Sequence, residues 1–154
     1  MKIYYGKAIY DKKEINASIS VLKNKSLTLI DGPLVKKLEK KISLLFGKKY
    51  GLMVNSGSSA NLLALASLNL KKGDEVITPT LTFSTTVAPI YQLGLKPHFI
   101  DVEKNTFVSK IDQIEKAINK KTKAIIVVPM FGNPCKINKI KKIADKYKIK
   151  LIED

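Results

Sequence analysis

Arginine and tryptophan are absent from this chain, and cysteine and histidine each occur once, as Cys135 and His98. Each shortage excludes something. A lone cysteine forms no internal disulfide and satisfies no four-thiolate cluster, which favours a cytoplasmic home over an oxidising one. Without arginine, all 28 basic residues are lysine. The planar, bidentate donor that usually reads phosphates and bases is therefore missing, and specific nucleic-acid recognition loses support despite a net charge of +15. The lysines are scattered in pairs such as Lys36-Lys37, Lys71-Lys72 and Lys141-Lys142, as on a solvated surface. No apolar run is long enough to span a bilayer, and the start lacks a secretory pattern, so no membrane partner is expected.

What remains is an ordinary globular composition, 45% hydrophobic and 27% charged over 154 residues, enough for one domain with a real core. The stretch that organises it is MVNSGSSANLLAL, Met53 to Leu65. A short apolar run, Leu52–Val54, meets small polar residues and then an apolar segment from Ala60 to Leu70. The pattern predicts a strand, a tight loop and a helix. Gly57 would permit a sharp turn or a close ligand approach, and Ser56, Ser58 or Ser59 would cap the helix. Open N–H groups at such a helix start suit a phosphate dianion. A capped core helix with no ligand explains the same residues equally well.

The rest of the chain alternates. Helices are predicted over Glu14–Leu22, from Pro33 to Gly47, after Thr80, after Ser109 (with Asp112 as a possible capping box), and along Ile137–Tyr147. Strands are predicted at Glu75–Thr78, Pro97–Val102, Ala124–Val128 and Ile149–Ile152. This reads as an α/β fold: a three-layer, mostly parallel sheet with helices on both faces and right-handed crossovers. Ligands in such sheets bind beyond the carboxyl ends of the strands. Those ends carry Asn55–Ser58, Thr80–Thr85, Asp101, Phe131–Asn133 and Asp154.

In series, VNSGSSANLLALASL, KKGDEVITPTLTFSTTVAPIYQLGLKPHFIDV, TKAIIVVPMFGNP and LIED resemble the N-terminal part of the DegT/DnrJ/EryC1/StrS sugar aminotransferases. These are fold-type I enzymes that use pyridoxal 5'-phosphate (PLP). The lead-in LTLIDGPLVKKLEKKISLLFG matches too, and the SGSSANLLA and FGNPC forms look most like the lipopolysaccharide-sugar 3-dehydrase branch. The resemblance implies that Gly57, Ser58 and Ser59 hold the cofactor phosphate, that Phe83 stacks on the pyridine ring, and that Asp154 pairs with the ring nitrogen. Taken without it, Phe83 reads as a core residue beside Leu81, and Asp154 as a polar strand end. His98 reads as packed or exposed, Cys135 as a small buried residue, and neither as catalytic. No metal site is expected, since the cysteines of the dehydrase branch's iron–sulfur cluster would lie downstream.

The resemblance also implies what this stretch lacks. The family's Schiff-base lysine, or the histidine that replaces it in the dehydrase branch, lies beyond LIED, as does the C-terminal small domain. An ordinary lysine, with a pKa of about 10.4, is a poor nucleophile at neutral pH. The expected organisation is an N-terminal segment with a short helix over 1–33 and a partial PLP-binding domain over 34–154. The expected function is that of an N-terminal fragment of an enzyme of deoxysugar or cell-surface polysaccharide synthesis, an aminotransferase or 3-dehydrase, inactive alone. Its substrate would be a nucleotide-linked keto-sugar, and the full-length form a homodimer. The competing readings are a small α/β phosphate-ligand-binding module without catalysis and a lysine-rich nucleic-acid binder.

Overall fold

A computed structural model describes residues 6–27 and 29–154. The chain divides into two compact units, residues 1–53 and 54–154; the expected boundary at 33/34 falls within the first, at the start of its second helix.

The first unit holds α1 (Lys12–Lys23) and α2 (Pro33–Leu45). Asp11 and Glu14 form a reciprocal capping box on α1, and Pro33 opens α2 as its first residue. Gly47, at φ +60°, supplies the left-handed residue after α2. The apolar positions of both helices, Ile15, Ile19, Leu38 and Ile42 among them, remain exposed.

The second unit holds α3 (Gly57–Ala66), β1 (Glu75–Pro79), α4 (Ser84–Gln92), β2 (Lys96–Ile100), α5 (Ile111–Ala117), β3 (Thr122–Val127), α6 (Ile137–Lys146) and β4 (Lys150–Glu153). The four strands form one all-parallel sheet in the order β2-β1-β3-β4. The alternation of side chains along β1 and β3 sends them to two cores. Ile77, Ile125 and Val127 pack with Ile114 of α5 and Ile140 and Ala144 of α6. Val76, Ala124 and Ile126 pack with Leu65 of α3 and Ile90 of α4. The sheet is thus covered on both faces. The β1-to-β2 crossover runs one way with its helix on one face; the next two run the other way with helices on the opposite face. That combination keeps a single handedness throughout. The direction in which the crossovers step across the sheet reverses between β1 and β3, and the crevice beyond their carboxyl ends is where such folds bind ligands.

Three local expectations need correction. Leu52–Val54 is not a strand: a strand persists only as a rung of a ladder, and among the described residues this segment has no strand paired with it. The organising helix ends at Ala66 instead of running to Leu70, because Ser67–Leu70 turns back and Asn69 takes a positive φ of 50°. Ser109 does not cap α5. Lys110 occupies the cap position without a side-chain bond, while Ser109 is buried with its Oγ lacking any partner among the described residues.

Candidate functional site

The first turn of α3 is built by Ser56. Its backbone is extended, and its Oγ accepts from the Ser59 N–H at 3.2 Å. Ser59 is therefore committed to the cap, while the N–H groups of Gly57 and Ser58 have no acceptor among the described residues. Gly57 has an ordinary helical φ, so glycine is not needed for the turn; a Cβ there would meet nothing within 4 Å, leaving room for a ligand atom. The Ser58 hydroxyl donates to Thr85 Oγ1 at 3.1 Å, tying the start of α3 to the start of α4. A cleft of about 180 Å³ opens beside them, lined by Ser58, Ser59, Leu62, Thr85, Pro89 and Gln92.

The first turn of α4 is the hub of this edge. Phe83 is its cap residue and is 72% exposed, so its ring is not part of the core and its face is open to a ligand. Thr85 meets Ser58. Thr86, fully buried, donates to Asp154 Oδ2 at 2.5 Å and accepts from Thr82 Oγ1 at 2.9 Å. Asn61, one turn into α3, donates to the same Asp154 oxygen at 2.9 Å. Asp154 is also held by its main chain, whose N–H donates to the Val127 carbonyl at 2.9 Å.

Gly57, Ser58, Ser59, Phe83 and Asp154 therefore gather at one sheet edge, joined through Thr85, Thr86 and Asn61. Thr86 and Asn61 escaped sequence reasoning, and Thr82 and Thr85 entered it only within the Thr80–Thr85 strand end, with no role given to either. A threonine at a helix start looks like any helix-start threonine, and only Asn61, three residues beyond Ser58, carried a spacing that could have placed it on the face of Ser58.

The other strand ends do not join this group. Asp101 closes on its own loop: Val102 N–H and Lys110 Nζ hold its carboxyl below the usual carboxylate range, and its N–H donates to Gln113 Oε1. Asn133 donates to the Thr106 carbonyl at 3.0 Å and lines a separate cavity of about 630 Å³ with Glu103, Thr106, Ser109 and Lys136. Beside that loop, Phe107 and Phe131 both take positive φ, near 55–60°, and meet edge-to-face at 6.1 Å. His98 faces Glu75 at 3.6 Å near the start of the sheet, away from Asp154. The half-buried Cys135 thiol donates to the Val128 carbonyl; burial, helped by the Glu153 charge, pushes its pKa up, the reverse of an activated nucleophile.

These residues offer what PLP would need. Open N–H groups and a hydroxyl stand at a helix start for a phosphate, an exposed aromatic face for a ring, and a braced carboxylate for a ring nitrogen.

A profile of the DegT/DnrJ/EryC1/StrS aminotransferase family matches residues 8–154. The chain is 41% identical to GDP-4-keto-6-deoxy-D-mannose 3-dehydratase of Yersinia pseudotuberculosis over 94% of its own length, but spans 38% of that relative. It is 37% identical over 80% of its length to the 3-oxo-glucose-6-phosphate:glutamate aminotransferase of Bacillus subtilis, spanning 28% of it. The solved E. coli GDP-4-keto-6-deoxy-D-mannose-3-dehydratase with bound hydrated PLP superimposes with a TM-score of 0.87 at 41% identity, over 96% of this chain and 39% of that one. Dehydratases and aminotransferases thus stand side by side among the relatives, and the chain belongs to the DegT/DnrJ/EryC1/StrS aminotransferase family.

Proposed function

We propose that this chain supplies the N-terminal part of the cofactor-binding domain of a PLP-dependent enzyme acting on a nucleotide-linked keto-sugar. The observation that carries the reading is the convergence of Ser58, Phe83 and Asp154 at one edge, although they come from three distant segments. In it, the N–H groups of Gly57 and Ser58 take the phosphate, the Ser58 hydroxyl joins them by turning its one hydrogen away from Thr85 Oγ1, and Ser59 orders the turn. Phe83 covers one face of the ring, and Asp154 keeps the ring nitrogen protonated. When bound, PLP supplies an electron sink for a carbanion formed on the substrate.

None of the 28 lysines occupies a segment resembling the family's Schiff-base motif. The reading therefore places covalent attachment and proton transfer in residues outside this sequence, and expects residues 1–154 to bind cofactor without turnover. The complete enzyme would be a cytoplasmic homodimer; the exposed apolar positions of α1 and α2 suit a surface covered by a partner, and among the described residues no helix is long and apolar enough to cross a membrane.

The experiment is a titration of the purified chain with PLP and with pyridoxamine 5'-phosphate, then borohydride reduction and mass analysis. Saturable binding of both, lost on Asp154→Ala and weakened on Phe83→Ala, is expected, with no single-lysine adduct. A stoichiometric adduct at one lysine together with turnover of an amino donor would overturn the division of labour. Binding of inorganic phosphate as tight as that of pyridoxamine 5'-phosphate would favour a simple phosphate-binding module instead.

A further inference from the structure

Two donors from two helices end on the same oxygen of Asp154. Asn61 Nδ2 and Thr86 Oγ1 both reach Oδ2, at 2.9 and 2.5 Å, while Oδ1 has no donor among the described residues. An ionised carboxylate only accepts, so the single hydroxyl hydrogen of Thr86 is spent on Asp154. The lone pairs of Thr86 are then left to accept, and Thr82 Oγ1 fills that place at 2.9 Å. The result is one directed run, Thr82 to Thr86 to Asp154. Burial differs along it: Thr86 is 1% exposed, so its hydroxyl does not readily exchange its partner for water, whereas Asp154 is exposed. A buried donor grips one oxygen of an open carboxylate and leaves the other facing outward.

We propose that Asn61 and Thr86 are positioning residues that occupy Oδ2, fix the plane of the Asp154 carboxylate and reserve Oδ1 for the cofactor's ring nitrogen; Thr82 sets the rotor of Thr86. This rests on the cofactor reading above. The design has a physical motive. A carboxylate on a strand end rotates between two equivalent faces, and either oxygen would otherwise meet water or the ring at random. Charge-assisted hydrogen bonds to one oxygen remove that choice before the ligand arrives. Thr86 shares the first turn of α4 with Phe83, and Asn61 lies one turn beyond Ser58. The ring face, the phosphate site and the nitrogen partner are thus spaced by the same two helix starts.

The test compares two ligands on the full chain: pyridoxamine 5'-phosphate and an analogue whose ring nitrogen is replaced by C–H. The ratio of their dissociation constants reports the nitrogen contact and cancels the phosphate and stacking contributions. Wild type should prefer the nitrogen-containing ligand by about tenfold or more, the scale of one hydrogen bond to a charged group. Thr86→Val, which keeps the shape and removes the donor, and Asn61→Leu should each cut that preference by at least about threefold. Both should weaken binding of the analogue much less than binding of pyridoxamine 5'-phosphate, and Thr86→Ser should restore the preference. If Thr86→Val does not fold, the half-buried Asn61 carries the test through Asn61→Leu. Retention of the full preference by the folded variants would overturn the positioning role while leaving the cofactor site standing. Failure of wild type to bind either ligand would instead sink the cofactor reading, and this inference with it.

Discussion

Thr86 and Asp154 lie 68 positions apart in the chain, yet one hydroxyl–carboxylate hydrogen bond of 2.5 Å locks the first turn of α4 to the end of β4. The bond spans the reversal point of the sheet, because α4 follows β1 and Asp154 follows β4 with β3 between them. Everything placed on that helical turn, including the Phe83 ring, is thereby positioned relative to the carboxylate.

Phe83→Ala should separate function from stability. The ring is mostly exposed and caps α4 without packing in either core, so its loss should change unfolding free energy by no more than about 0.5 kcal/mol, as for ordinary surface substitutions. Affinity for pyridoxamine 5'-phosphate should fall by about tenfold, on the scale of a lost aromatic contact. Urea unfolding beside a binding titration measures both. A large stability loss with unchanged binding would return Phe83 to a structural role.

Ser56→Ala should act on the same site from the other side. It removes the acceptor that holds the Ser59 N–H, at a cost of about 1 kcal/mol typical of a lost N-cap. The first turn of α3 also carries the open N–H groups of Gly57 and Ser58, so phosphate-containing ligands should bind more weakly. Ser56→Asp should keep the cap but place a negative charge beside the phosphate. Restored stability without restored binding is the expected pattern, read by thermal melting and calorimetry.

Acid should expose a brace at the start of the sheet. Asn119 Nδ2 donates to Glu75 Oε2 at 2.7 Å, and this bond, aided by His98 and opposed by burial, holds the Glu75 carboxyl below its ordinary value of 4.5. A lowered carboxylate pKa means the folded state binds its proton less readily than the unfolded one. The stabilisation is therefore fully present above 4.5 and lost as pH falls through the folded value. Melting curves of wild type and Glu75→Gln between about pH 3 and pH 7 should differ most at the upper end and converge at the lower. A constant gap would show that Glu75 contributes through packing alone.

Lys148→Gly should stabilise the chain. Three helices end in the same way. Gly47, Gly94 and Lys148 take φ of 60°, 69° and 55°, and the next residue donates back to Ser43, Ile90 and Ala144 respectively. Only α6 puts a residue with a Cβ in that left-handed position. Lys148 is exposed, so replacing it removes strain without removing a core contact, and a gain of about 0.5–1 kcal/mol is expected from chemical denaturation.

Most of the sheet was legible in the sequence because its strands carry their own signal. Ala124–Val127 is continuous, buried and rich in β-branched residues, and Ile140 and Ala144 fall on one face of a helix bounded by lysines. Leu52–Val54 looked equally strand-like but lacks a partner to complete a ladder, and periodicity cannot report the absence of a neighbour. Ser109 had the residue type and spacing of a cap, yet tertiary packing buried it. Phe107 and Phe131 take left-handed backbone conformations that no propensity would assign to phenylalanine.

The same division holds at the site. By itself the sequence determined the parts: a serine-rich helix start, an aromatic before a second helix, and a carboxylate after a strand, in the order shared by one enzyme family. These are local features, set by capping chemistry, turn residues and apolar period. Only the tertiary structure decided that Thr86 and Asn61 would both hold Oδ2 of Asp154, and that Ser58 would meet Thr85. Those contacts join residues from segments that the chain separates and the parallel sheet reunites. Strand order and the two-sided packing of helices, both long-range properties, set their geometry.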